Sequence, residues 1–262
     1  MSQPAVALAP LPFDLVLDDG EPLESEWHAM QFPLLCELIR QTMVEQERAD
    51  FYLGGNMFVY YSIEQAREVA EEEAKGLKKR AFRGPDVFWV GGVPDPERNR
   101  QVWIAWEEDG RLPDVVIELL SPSTAKKDRT EKRDLYARVF GSAEYFMCRP
   151  DGRGVDGLRL SGRTYQPIPP DEKGRVWSAQ LGASFGYWHG SIRGRRYDWV
   201  RLFRPDGTLV PTEAEAERQR TDAEHQRAEK ERRQADAERQ RAEAAEAELA
   251  RLRALLEERG RG

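Results

Sequence analysis

Two Pro-Asp dipeptides each open an apolar run: Pro85-Asp86 before Val-Phe-Trp-Val, and Pro113-Asp114 before Val-Val-Ile-Glu-Leu-Leu. The second run has a charge in its middle. Under the period-two rule of a strand, Val116, Glu118 and Leu120 share one face, and Val115, Ile117 and Leu119 the other. Glu118 is thus flanked by apolar residues, where a carboxylate is costly unless it is paired or bound to a metal. Phosphodiester hydrolysis asks for positive charge at the reacting phosphate and for an activated water. Mg²⁺ supplies both, and takes hard oxygen ligands, usually one or two carboxylates plus waters. Asp86 and Glu118 are suited to be that pair. A lysine beside them would orient or deprotonate the attacking water and balance charge. Asp128, Lys132 and Tyr136 recur every fourth residue and so lie on one helical face soon after Glu118. Lys126, Lys127 and Arg129 are nearby and able to bind phosphate.

These side chains need a sheet and helices to hold them. Asp114–Leu120 is the strongest strand pattern in the chain; Gly84–Gly91 and Ala143–Cys148 are shorter ones. Ser25–Glu47 carries apolar residues at spacings of three and four (Trp27, Met30, Leu34, Leu35, Leu38, Ile39, Met43), which predicts a helix, with Pro33 marking a break or a late first turn. Asp50–Tyr61 is aromatic and β-branched with a Gly-Gly bend and reads as strand. Ile63–Lys79 reads as a helix and Gln101–Trp106 as a further strand. Ser121-Pro-Ser-Thr is a loop and helix start, with Ser121 and Ser123 as turn and N-cap residues. Ala125–Phe140 is the helix that carries Lys132. Gly157–Ile168 and Trp177–Trp188 read as turns and short strands. The expected class is α/β (α+β), a mixed central sheet flanked by helices and followed by a long C-terminal helix.

On the residues GPDVFWV, PDVVIELLSPST, D(x)3K(x)2LY and EYF(x)3PDG, the sequence resembles the Uma-type restriction endonuclease family of the PD-(D/E)XK nuclease superfamily. The resemblance extends from about residue 19 to 212 and takes in DGEPLESEWH and GGNMFVYYS near the start. It implies a restriction-endonuclease-like sheet with a divalent metal, Mg²⁺ or Mn²⁺, at its edge and DNA as substrate. Carried over, Asp86 matches the first metal-binding Asp and Glu118 the acidic member of (D/E)XK. The superfamily pattern places its lysine at position 120, which here is Leu120, so the resemblance implies a lysine moved to the following helix, namely Lys132. The superfamily often adds a carboxylate from a first helix, and Glu21, Glu26 and His28 lie in that region.

Composition narrows the alternatives. The 262-residue chain has 40 Lys+Arg against 47 Asp+Glu, a net charge of −7. Bulk charge therefore does not hold it to nucleic acid; a local basic patch or a bound metal is needed. Cys36 and Cys148 are too few for a disulfide framework or a Cys-rich zinc site, the three histidines are scattered, and there is no P-loop or GxGxxG. No apolar run approaches the ~20 residues of a membrane span. The N-terminus does not read as a secretory signal, so the cytoplasm is the expected compartment.

From Glu213 onward the chain changes: no proline, no aromatic residue, and charges of both signs in near balance. Ala228, Ala235, Ala242, Leu249 and Leu256 recur every seventh residue, but the alternating partner is apolar only at Ala245 and Leu252; upstream it is Glu224, Glu231 and Glu238. This predicts either a weak coiled coil that makes a homodimer or a solvated single helix. The expected organisation is a disordered or extended segment 1–18, a nuclease domain 19–212 and a charged heptad-repeat helix 213–262. The leading expectation is a Mg²⁺-dependent DNA endonuclease acting as a homodimer. Its competitors are a non-catalytic module of the same fold that binds nucleic acid or protein, and an oligomerisation adaptor built on the tail.

Overall fold

The computed structural model describes residues 11–15, 25–76, 84–121, 125 and 128–259, apart from the side chains of 128, 243, 244, 246, 247 and 249–259. Glu21, Ser123, Lys126 and Lys127 lie outside the described residues, as do the side chains of Leu249, Leu252 and Leu256. The chain divides by its contacts into two compact units that part between Val210 and Pro211.

The first unit is built on a six-stranded mixed sheet in the order β1-β3-β5-β6-β7-β8. Its strands are β1 (Phe51–Gly54), β3 (Val87–Gly91), β5 (Val115–Leu119), β6 (Glu144–Cys148), β7 (Asp156–Ser161) and β8 (Thr164–Pro167). Neighbours pair antiparallel except β5 and β6, which run parallel. β2 (Val59–Tyr60) and β4 (Trp103–Ile104) form a separate parallel pair. β9 (Val176–Ser178), β10 (Ala183–Ile192) and β11 (Arg195–Phe203) make a second antiparallel sheet.

Both faces of the central sheet are covered, which is why its middle strands read as continuous apolar runs rather than alternations. On one face Val87, Trp89, Val115, Ile117, Leu119 and Phe146 pack with helix α1 (Glu26–Glu45) and with Phe185, Trp199 and Leu202 of the second sheet. On the other, Phe88, Val90, Val116, Leu120 and Tyr145 pack with β2, with α2 (Ile63–Ala74) and with helix α3, residues 128–140. Burying the two faces stabilises the sheet at about 25 cal/mol per Å² of apolar surface removed from water.

α1 begins at Ser25, whose hydroxyl accepts from the backbone N–H of His28 at 3.4 Å, an N-cap. Pro33 does not break it: the helix runs through that position. An interior proline forfeits one backbone hydrogen bond and costs about 3 kcal/mol. Here Leu34, Leu35, Leu38 and Ile39 are buried on the following turns and offset the loss. The Asp50–Tyr61 run is two strands of different sheets, because the chain bends at Gly54-Gly55. The Gln101–Trp106 run forms only a two-residue strand before a 3₁₀ turn at Ala105–Glu107.

The Ala125–Phe140 segment is helical where described but is not a plain α-helix. Asp128–Lys132 and Tyr136–Phe140 are wound as π-turns on either side of a short α-turn at Arg133–Leu135. Gly141, at φ +65°, ends it. The Trp177–Trp188 region is more regular than its sequence suggests: β10 and β11 form a ten- and nine-residue hairpin closed by Arg193-Gly194.

In the second unit, α4 (Glu213–Arg259) is one helix. Thr212 and Glu215 cap it reciprocally: Glu215 Oε2 accepts from the Thr212 N–H at 2.9 Å and Thr212 Oγ1 from the Glu215 N–H at 3.2 Å. Arg233 and Glu229 pair at 3.0 Å on its surface, worth about 0.3–0.5 kcal/mol. No described helix is long and apolar enough to cross a membrane.

Candidate active site

The register of β3 on β5 brings the two predicted carboxylates together. Val87 lies opposite Ile117 and Phe88 opposite Val116. Continued by one step, the ladder puts Asp86 opposite Glu118. Residues directly opposite point to the same face, here the one carrying Phe88, Val116 and α3. Asp86 is half-buried at the entry to β3, and Glu118 is 1% exposed. Asp86 Oδ2 accepts from the backbone N–H of Leu119 at 2.6 Å, so the first acid is tied to the residue after the second.

A tight bend sets the position of Asp86. The N–H of Asn56 points at the carbonyls of Pro85 and Asp86, at 3.2 and 3.1 Å. A Cβ on Gly55 would stand 2.4 Å from the Asp86 carbonyl oxygen. Only glycine permits that approach.

α3 closes over Glu118 with two donors, one for each carboxylate oxygen. Lys132 Nζ lies 2.9 Å from Oε2, and the Tyr136 hydroxyl donates to Oε1 at 2.7 Å. Lys132 is 11% exposed on its side chain, so this is a nearly buried ion pair. Burial, followed by the Glu118 negative charge, pushes the Tyr136 phenol well above its ordinary pKa. It stays a neutral donor at every physiological pH. Tyr136→Phe removes that donor and leaves a buried carboxylate oxygen short of a partner. The expected cost is about 1–3 kcal/mol of unfolding free energy. It is read as a lower urea midpoint at constant m-value; an unchanged midpoint would contradict it.

From the opposite face α1 reaches the same strand end. His28 Nε2 is 3.1 Å from the Leu119 carbonyl oxygen, and its Nδ1 is 2.7 Å from Ser25 Oγ. With Nε2 protonated, Ser25 donates to Nδ1 and the ring donates to Leu119. Of the two described N-terminal candidates, Glu26 and His28, His28 is the one that touches β5, at the residue after Glu118. Glu26 turns away, its carboxylate taking the Tyr197 hydroxyl at 2.7 Å and Arg195 at 2.8 Å. The Tyr197 hydroxyl, then Arg195, hold the Glu26 carboxyl below its usual range.

The second Pro-Asp does different work. Asp114 Oδ2 accepts from the Gly91 N–H at 2.8 Å, joining the far ends of β3 and β5, and burial raises its pKa. It is a strand tie at the end of the sheet away from Glu118. Arg129, expected near phosphate, pairs with Asp156 at 3.2 Å.

Among the described residues, no group of three or more His, Cys, Asp or Glu side chains converges as a cation site. Two opposed carboxylates are nonetheless the donor set with which Mg²⁺ is commonly held, waters completing its shell. By residue type, Asp86 and Glu118 match that donor set.

The site thus comprises two carboxylates at the ends of neighbouring central strands and a lysine from the helix that follows. The family model described as "Uma2: Putative restriction endonuclease" matches residues 13–193, and the chain belongs to that family. Restriction-endonuclease-like proteins generally use divalent metals. One similar solved structure is a crystal structure of a "putative nuclease belonging to DUF820" from Anabaena variabilis. It shares 14% identity over 61% of this chain and 76% of that one, with a TM-score of 0.42. No curated protein matches the chain.

Proposed function

We propose that this protein is a divalent-metal-dependent endonuclease that hydrolyses phosphodiester bonds in DNA, using Mg²⁺ or Mn²⁺. The observation that carries this reading is the pairing of Asp86 with Glu118 on one sheet face, with the Lys132 ammonium on the Glu118 carboxylate. Asp86 and Glu118 would hold the ion. When bound, a divalent cation supplies positive charge against the phosphoryl oxygens and makes water more acidic. Lys132 has two tasks on this reading. Its charge balances the acidic pair, and its ammonium orients the attacking water. Tyr136 fixes the other oxygen of Glu118, so the carboxylate has little freedom to rotate. His28 holds the Leu119 carbonyl, and with it the end of β5, in place.

The test is incubation of supercoiled plasmid with the purified full-length chain and Mg²⁺ or Mn²⁺. Nicked or linear product that disappears with EDTA is expected; intact plasmid with both metals overturns the reading.

We further propose a homodimer whose two sites cut the two strands, joined through α4, and a cytoplasmic setting, in line with Cys36 and Cys148 standing as free thiols. Light scattering of the full chain is expected to give twice the 30.1 kDa chain mass, and the monomer mass once residues 213–262 are removed. A full-length chain of monomer mass would rule the dimer out.

A further inference from the structure

Two guanidinium groups from different elements meet on one carboxylate beside the acidic pair. β6 runs parallel to β5 with Cys148 opposite Leu119, so Arg149 follows immediately past the end of the sheet that carries Glu118. Arg129 lies in the first π-turn of α3, three residues before Lys132. Both reach Oδ2 of Asp156, the first residue of β7: Arg129 Nη2 at 3.2 Å, and Arg149 Nη2 in a still closer contact.

The backbone of the half-buried Arg149 is held at both its polar groups. The Tyr187 hydroxyl of β10 accepts from its N–H and donates to its carbonyl oxygen, both at 2.7 Å. Burial keeps the Tyr187 phenol neutral, raising its pKa. Exposed ion pairs contribute only about 0–1 kcal/mol, and here Arg129, Arg149 and Asp156 are 47%, 24% and 41% exposed, so stability is a weak reason for such an arrangement. Two guanidiniums on one carboxylate leave a net positive charge and most of their ten N–H donors for another acceptor. A phosphodiester group has one negative charge and the oxygen geometry that arginine forks match.

We propose that Arg129 and Arg149 form a binding site for a backbone phosphate of a nucleic-acid strand, next to the bond presented to Glu118 and Lys132. Asp156 occupies the place of that phosphate when no strand is bound and keeps the two arginines aligned. The placement of the scissile bond rests on the nuclease reading; the phosphate site itself does not.

The experiment measures binding separately from cutting. The full-length chain is titrated with a fluorescent DNA duplex in EDTA, by anisotropy, across a range of salt concentrations. Arg129→Ala and Arg149→Ala are each expected to weaken binding about three- to tenfold near 0.1 M salt. Each should also flatten the slope of log K against log[salt] by about one unit. Asp156→Asn removes the competing carboxylate and is expected to tighten binding several-fold. A purely structural triad predicts instead that all three variants lose thermal stability together while the salt slope stays fixed. That result overturns the proposal, as does a wild-type chain that does not bind the duplex. If the arginine variants change the slope while the wild type cuts nothing, the phosphate site stands and the nuclease reading fails. If the wild type cuts plasmid and the arginine variants keep both slope and KM, the reverse holds.

Discussion

Asp86→Asn is expected to lower plasmid cleavage by about 10³-fold or more, equivalent to roughly 4 kcal/mol of transition-state stabilisation, while leaving the fold almost untouched. The substitution separates the two jobs of this side chain. An asparagine oxygen still accepts from the Leu119 N–H, the bond that Asp86 makes at 2.6 Å. What is lost is the negative charge that a divalent cation requires. Calorimetric titration with Mg²⁺ should show the heat of binding vanish in the variant, and EDTA should bring the wild type to the same residual rate. Cleavage retained within tenfold of wild type, with an unchanged Mg²⁺ titration, would remove Asp86 from the metal site.

The second large effect concerns the pair beneath it. Lys132→Met leaves Glu118 charged and buried, with Tyr136 but without its cation. Breaking one side of a buried ion pair costs about 3–5 kcal/mol, so the urea midpoint should fall sharply. Cleavage should fall by about 10²–10⁴, the range for a positioned proton-transfer group. Adding Glu118→Gln to Lys132→Met discriminates the two losses. Glutamine still accepts from Tyr136 and carries no charge to strand. The double variant is expected to recover most of the stability and none of the activity. A double variant as unstable as Lys132→Met alone would mean that the pair is not the source of the loss. Recovery of cleavage together with stability would mean that neither Lys132 nor Glu118 has a chemical role.

Much of the central sheet was legible because burial on both faces leaves nearly continuous apolar runs, as in Val87–Gly91 and, apart from Glu118, Val115–Leu119. The face of Glu118 followed from period two alone. That Asp86 stands opposite it did not, since register is set by how β3 and β5 meet in three dimensions. The local pattern by itself does not separate Asp86 from Asp114; the family resemblance singled out Asp86. Both follow a proline and precede an apolar strand, yet one stands opposite Glu118 and the other ties strand ends. Spacing by four put Lys132 and Tyr136 on one helical face, and both indeed reach Glu118, but the π-winding of α3 has no signature in composition. The β10–β11 hairpin was under-read for an opposite reason. Charges at Arg195, Arg196, Asp198 and Arg201 interrupt its apolar pattern. Arg201 is wholly buried, donating to the Val210 carbonyl at 2.9 Å and lying 5.3 Å over the Trp188 ring. The Arg149 site was hidden because Asp156 and Tyr187 are brought to it only by the folded sheets.

The short bond between the Leu119 amide and Asp86 also gives the site a spectroscopic handle. A hydrogen bond to an ionised acceptor draws electron density from the proton it shares, so the Leu119 amide resonance should sit downfield of its neighbours in a nitrogen–proton correlation spectrum. Because the same residue's carbonyl faces His28 at 3.1 Å, that one peak and its carbon partner would register a change on either side of the sheet. If the proposed ion binds there, filling of the site could then be followed without any turnover.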